Sequence, residues 1–201
     1  LGTFLEQLAA TRWYEWLGMV AGITGVWLSI KEKIAAWAFF ITCYSCYVYI
    51  SYRSGLHAFM GMNIVFIGIS IYGWTKWSRQ DDGVASSVTR TLRAHLWIVL
   101  TCIALGTVGI GYLLASTGAA NQPYLDAFAT CCGFSAQWML GRKQIETWLF
   151  WIISNSVYAG IFISAGLWPS VLLFAVFILL AIKGWREWQV QVNGRTPTIQ
   201  L

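Results

Sequence analysis

Charge is what this sequence has least of. Among 201 residues only 10% are charged, with eight carboxylates and two histidines, while 58% are hydrophobic and the mean hydropathy is +0.61. A soluble domain of this length has no use for so much apolar surface, so the class is a polytopic membrane protein. All eight carboxylates fall at the ends of apolar segments or in polar loops. That distribution excludes an intramembrane enzyme, which needs an acid/base or metal constellation at membrane depth. Neither His57 nor His95 belongs to a ligand cluster. Cys43 and Cys46 form a C-x-x-C with no second pair to complete a metal site, and all five cysteines read as small packing residues. No cofactor is expected. Residues 1–12 do not read as a cleavable signal.

Seven apolar segments are present, at about 13–30, 34–52, 56–75, 95–115, 124–141, 146–164 and 168–186. Each is close to the length that crosses a bilayer. A polar break at 76–93 and a Gly/Ala/Asn/Gln/Pro stretch at 116–123 divide them. The expected organisation is a first three-helix bundle in 1–78, a linker and connecting span in 79–123, and a second three-helix bundle with a mobile tail in 124–201. The net charge of +5 suggests nucleic acid until the basic residues are located. With seven spans, Arg12 and Arg53 lie on one side. The other eleven of the 13 Lys and Arg, from Lys31 and Lys33 to Arg195, lie on the opposite side. This bias predicts an outside N-terminus, a cytoplasmic C-terminus and a bilayer, not a nucleic acid, as partner. The tryptophans at span ends (Trp74, Trp77, Trp185 and Trp188) read as interfacial anchors.

An internal repeat runs at an offset of 111 residues without a gap. Gly22, Trp27 and Trp37 match Gly133, Trp138 and Trp148. Gly55-Leu56 matches Gly166-Leu167, Val65-Phe66 matches Val176-Phe177, and Gly73-Trp74-x-x-Trp77 matches Gly184-Trp185-x-x-Trp188. Three spans per copy would invert the second copy, and the intervening segment 95–115 restores its orientation. The expected fold is all-α with seven transmembrane helices in a 3+1+3 parallel repeat, as in transporters of the SWEET type.

Trp148, Trp151, Asn155 and Tyr158 are spaced 3, 4 and 3, so on a helix they make one stripe. With the helix starting near residue 144, Asn155 lies roughly 16 Å in, near the middle of a hydrocarbon layer about 30 Å thick. An amide at that depth needs a partner. Gln137 and Asn63 are further amides inside apolar segments, and Tyr44 is the repeat partner of Asn155. These seven residues form the candidate substrate site, with interhelical packing as the plainer explanation of the amides. Glu15 and Asp126 at equivalent span starts, and Glu146 at a third, are candidate gate residues.

The run Arg142-Lys143 followed by Glu146-x-Trp148-x-x-Trp151-x-x-x-Asn155-x-x-Tyr158 resembles the signature of the PnuC vitamin transporters. Gly73-Trp74-x-x-Trp77, and Glu15-Trp16-x-Gly18 with Val26-Trp27-Leu28, are similar to patterns of that family. The resemblance spans 13–188. It implies a bacterial inner-membrane carrier for a vitamin precursor, most often nicotinamide riboside, with thiamine or riboflavin as alternatives. It also implies facilitated diffusion, with a cytoplasmic kinase trapping the substrate, and admits a homo-oligomer. Where members have Tyr-Ala-Asp, Gln and Tyr on the third span, this chain has His57-Ala58-Phe59, Asn63 and Phe66, so the vitamin stays open. Indole faces and amides suit a cationic pyridinium with a carboxamide and a ribose diol. The competing class is a membrane receptor or scaffold, which needs no path built from repeats.

Overall fold

The computed structural model describes residues 12–79 and 88–194. Arg195 with the rest of the tail, Glu6, and residues 80–87 of the polar break lie outside the described residues. Within them the chain is all-helical, with seven helices: α1 (Trp13–Ile30), α2 (Ala36–Arg53), α3 (His57–Ser78), α4 (Arg93–Thr117), α5 (Pro123–Gly141), α6 (Thr147–Ser164) and α7 (Trp168–Asn193). Four of them (α3, α4, α6 and α7) are long and apolar enough to cross a membrane on length and composition alone.

Local chemistry sets the boundaries. Pro123 and Pro169 sit in the first turns of α5 and α7, where a missing N–H costs nothing. Gly118 closes α4 in a left-handed conformation, φ 65°. Gly55 and Gly166, at φ 71° and 69°, turn the chain between α2 and α3 and between α6 and α7. Glu32 and Lys143, 111 residues apart, are the two non-glycine residues of positive φ among those described, both at 53°. The helix starts and ends repeat as well: α2 and α6 share the same bounds after a shift of 111, and α3 and α7 the same start.

Helix α2 packs against α1 and α3, α6 packs against α5 and α7, and α4 lies against α5. Helices α3 and α5 meet, as do α1 and α7. The main core is built from tryptophans. Trp37 lies on Gly73, where a Cβ would collide with its ring, and meets Trp77 edge-on at 5.3 Å and 88°. Trp148 lies on Gly184, where a Cβ would stand 2.6 Å from the indole, and meets Trp188 at 5.2 Å and 82°. Trp77 and Trp188 are therefore core residues, 4% and 0% exposed, rather than the interfacial anchors their place at helix ends suggests. Trp188 also donates its indole N–H to the Ile30 carbonyl at 3.1 Å, tying α7 to α1. Trp74 keeps to the surface, as an anchor would.

Three boundaries depart from expectation. Helix α6 starts at Thr147, not near 144, because residues 142–146 form a turn around left-handed Lys143. That places Asn155 roughly 12 Å from the helix start, at about 1.5 Å per residue. Helix α7 continues to Asn193, so residues 189–193 are helical where a loose tail was expected. The described end of the polar break, from residue 88, is also docked by backbone bonds. Thr89 forms a parallel bridge with Gln144, its N–H donating to Lys143 O and its carbonyl accepting from Ile145 N, both at 3.0 Å.

The two indole-on-glycine notches carry a direct prediction. Overpacking a close-packed site costs about 1–3 kcal/mol. Gly73→Ala and Gly184→Ala should each lower the melting temperature of the purified protein. Gly160→Ala, whose new methyl meets nothing within 4 Å, should leave it unchanged or raise it, since glycine inside a helix is unfavourable by roughly 0.5–1 kcal/mol. Equal melting temperatures for all three variants would mean the notches do not hold the bundles.

Candidate functional site

A cavity of about 240 Å³ lies between the two groups of helices, walled by α1, α2 and α3 on one side and by α6 and α7 on the other. Six of the seven expected site residues line it: Trp148, Trp151, Asn155 and Tyr158 from α6, Tyr44 from α2 and Asn63 from α3. The stripe read from the 3-4-3 spacing does face one way.

The seventh does not reach it. Gln137 is fully buried on α5 and donates to Ser70 Oγ on α3 at 3.1 Å, an interhelical bond away from the cavity. Its carbonyl oxygen has no partner among the described residues. Asn63 lines the wall, with one of its two amide N–H groups donated to the Phe59 carbonyl one turn earlier, at 2.8 Å. Asn155 is different. Its side chain is 5% exposed and makes no hydrogen bond among the described residues, so a buried amide is left facing the cavity with its full donor and acceptor set.

The aromatic walls are not equal either. Trp148 is 1% exposed, with its face in the Gly184 notch, and only closes one end of the cavity. Trp151 is half-buried and lies nearly parallel to Phe66, at 6.4 Å and 18°, and Phe66 in turn stacks on Tyr44 at 4.8 Å and 15°. Tyr158 stacks on Phe174 at 5.3 Å.

Phe66, Phe174 and Phe177 are wall residues that the sequence reading did not count as site. The signal was available. Phe66 and Phe177 are partners in the 111-residue register, and each crosses to a glycine of the opposite group. A Cβ on Gly133 would stand 3.1 Å from Phe66, and one on Gly22 would stand 3.3 Å from Phe177. Cys43 lines the wall beside Gly22, as a small packing residue would.

Position is fixed by polar clips from α6 to α5. Thr147 Oγ1 donates to Ala136 O at 2.7 Å and Ser154 Oγ to Ala129 O at 2.8 Å. The candidate gate residues lie outside the cavity wall. Glu146 accepts from the Thr91 N–H and hydroxyl, at 3.0 and 2.6 Å, anchoring the segment before α4. Glu15 accepts from the Arg12 N–H at its own helix start. Asp126 accepts from the Tyr158 hydroxyl at 3.2 Å, and Thr130 Oγ1 lies 2.8 Å from that hydroxyl. Among the described residues no Asp, Glu, Lys, Arg or His lines the cavity. It can hold a flat, uncharged or singly charged aromatic body and read its polar edge.

Known proteins share this fold. Residues 12–190 match the family model described as nicotinamide mononucleotide transporter. The chain is 24% identical over 202 residues to the nicotinamide riboside transporter PnuC of Escherichia coli (strain K12), covering 88% of this chain and 84% of that one. It is 22% identical over 190 residues to the riboflavin/roseoflavin transporter RibM of Streptomyces davaonensis, with the same coverage of 88% and 84%. Among solved structures, the crystal structure of the vitamin B3 transporter PnuC superposes with a TM-score of 0.73 at 21% identity, over 90% of this chain and 83% of that one. With nearly all of its described length inside the family model, and with the fold to match, this chain belongs to the nicotinamide mononucleotide transporter family of membrane proteins.

Proposed function

We propose that this chain is a facilitative carrier of nicotinamide riboside across the bacterial inner membrane. The observation that carries the reading is the uncommitted, buried Asn155 amide beside the half-buried Trp151 indole, in a cavity shared by both helix groups. A pyridinium ring fits the aromatic wall, worth roughly 2 kcal/mol when desolvated. Its carboxamide can pair with Asn155, donor to acceptor and acceptor to donor. Substrate-binding roles follow for Trp151, Asn155, Tyr158, Asn63 and Tyr44, with Trp148 as the floor. Gln137 supports the site by joining α5 to α3.

The path is a 3+1+3 arrangement of the SWEET type, with α1–α3 and α5–α7 related by a pseudo-two-fold axis along the membrane normal and α4 as the connecting span. The shared helix bounds, the paired Trp/Gly notches and the paired left-handed residues support it. So do the helix contacts, because the exchange of α1 with α5 and α3 with α7 maps the α1–α7 contact onto α5–α3. The charge bias puts the N-terminus outside and the C-terminus in the cytoplasm. The cytoplasmic end is closed by Lys143, which pairs with Glu32 at 3.1 Å and lies 5.0 Å over the Trp77 ring. A cytoplasmic kinase that phosphorylates the substrate would make uptake one-way.

Two outcomes test this. Purified protein should bind nicotinamide riboside by calorimetry more tightly than thiamine or riboflavin. Asn155→Leu should weaken that binding roughly 5- to 150-fold at an unchanged melting temperature, the loss of one ligand hydrogen bond of about 1–3 kcal/mol. Wild-type affinity in that variant would make Asn155 a packing residue. Tighter binding of riboflavin would reassign the substrate.

The second outcome concerns coupling. Ion-driven carriers place ionisable or clustered oxygen ligands at membrane depth, and among the described residues no charged side chain lines this cavity. Uptake into empty proteoliposomes should stop at equal concentrations inside and out and ignore protonophore. Accumulation driven by an imposed proton or sodium gradient would show coupled transport.

A further inference from the structure

Of the carboxylates among the described residues, Glu32 pairs with Lys143, Glu187 with Lys31 and Lys183, Glu146 with Thr91, and Glu15 with the Arg12 backbone. Asp126 alone spends its hydrogen bond on a side chain of the cavity wall, Tyr158. No Lys or Arg among the described residues pairs with it. A carboxylate only accepts, so Tyr158 must donate its O–H to Asp126. The Thr130 hydroxyl, 2.8 Å from the Tyr158 oxygen and 3.3 Å from Met62 Sδ, packs against the other side of the phenol oxygen. The phenol is thus held from two sides, its proton is committed, and what it offers the cavity is its ring.

The repeat shows that the fold does not require this. The equivalent positions of Asp126, Thr130 and Tyr158 in the first bundle are Glu15, Met19 and Tyr47. There the carboxylate caps its own helix at Arg12 and no hydrogen bond joins it to the tyrosine. One copy of the scaffold carries the carboxylate–phenol pair, and it is the copy that also presents Asn155.

We infer that Asp126 is a positioning and specificity residue that makes the cavity prefer a positively charged aromatic ring over a neutral one of the same shape. A phenol that donates to an anion has a more electron-rich face, and a cation over that face is attracted by the ring quadrupole and by the carboxylate behind it. A neutral ring gains neither. The inference rests on the proposed carriage of nicotinamide riboside, whose oxidised pyridinium is such a ring.

The test compares nicotinamide riboside with its reduced dihydropyridine form, which keeps the carboxamide and ribose but loses the charge. Wild-type full-length protein should bind the cationic form more tightly by calorimetry. Asp126→Asn keeps an acceptor for Tyr158 and removes the charge. It should lower affinity for the cationic form about tenfold and leave the reduced form within about twofold. An equal loss for both ligands would make Asp126 a packing residue and overturn the inference, as would no loss for either. Should Asp126→Asn not fold, Tyr158→Phe keeps the ring and breaks the pair, and must also narrow the preference; an unchanged preference overturns the inference. A wild type that binds both forms alike overturns it while leaving the carrier reading in place, and one that binds neither overturns both.

Discussion

An indole ring laid on a glycine holds this molecule together. At Gly73 and again at Gly184 the missing side chain lets the flat face of Trp37 or Trp148 approach the neighbouring helix backbone. The edge-on Trp77 or Trp188 then closes the notch. Between membrane helices, where lipid is as apolar as the side chains, such close approach is the main source of association. The notch fixes where α6 lies on α7. Everything further along α6 inherits that placement: Trp151, Asn155 and Tyr158 follow at helical spacing and emerge on the face that looks across to α2 and α3.

Across the 111-residue sequence register, polarity is distributed unequally. The second bundle has Gln137, Thr147, Ser154 and Asn155 where the first has Val26, Ala36, Cys43 and Tyr44. Thr147 and Ser154 bind backbone carbonyls of α5, so α6 is held in register by directed bonds as well as by packing. The first bundle contributes rings, and the second contributes rings and a free amide. A ligand with a flat face and one hydrogen-bonding edge fits such a division, because each side of the cavity recognises a different part of it. Small residues at Gly22 and Gly133 let Phe177 and Phe66 cross between the groups and complete the wall.

Much of this was legible in the sequence. Apolar segments located all seven described helices, the 111-residue register anticipated the paired turns at Gly55 and Gly166, and the stripe on α6 pointed into the cavity. What escaped depended on partners distant in sequence. Trp77 and Trp188 read as belt residues because they sit at helix ends. The glycine one turn earlier, on the same helix face, was the sign that an indole from another helix lies there. Gln137 looked like a site amide because its hydrogen-bond partner, Ser70, is on a helix with no periodic tie to it. The docking of Thr89 beside Gln144 lies in a polar stretch without periodicity, and backbone bonds of that kind leave no mark on composition. Phe66 entered only as a departure from a family pattern, although its register with Phe177 marked both as wall residues.

The central claim is that the substrate lies between the bundles, ring against Trp151 and polar edge on Asn155. An experimental structure with nicotinamide riboside bound tests it most directly. The account predicts the pyridinium against the Trp151 and Tyr158 faces, with the carboxamide within hydrogen-bond distance of the Asn155 side chain. Ligand density elsewhere, at Gln137 between α3 and α5 or outside the cavity altogether, would contradict it.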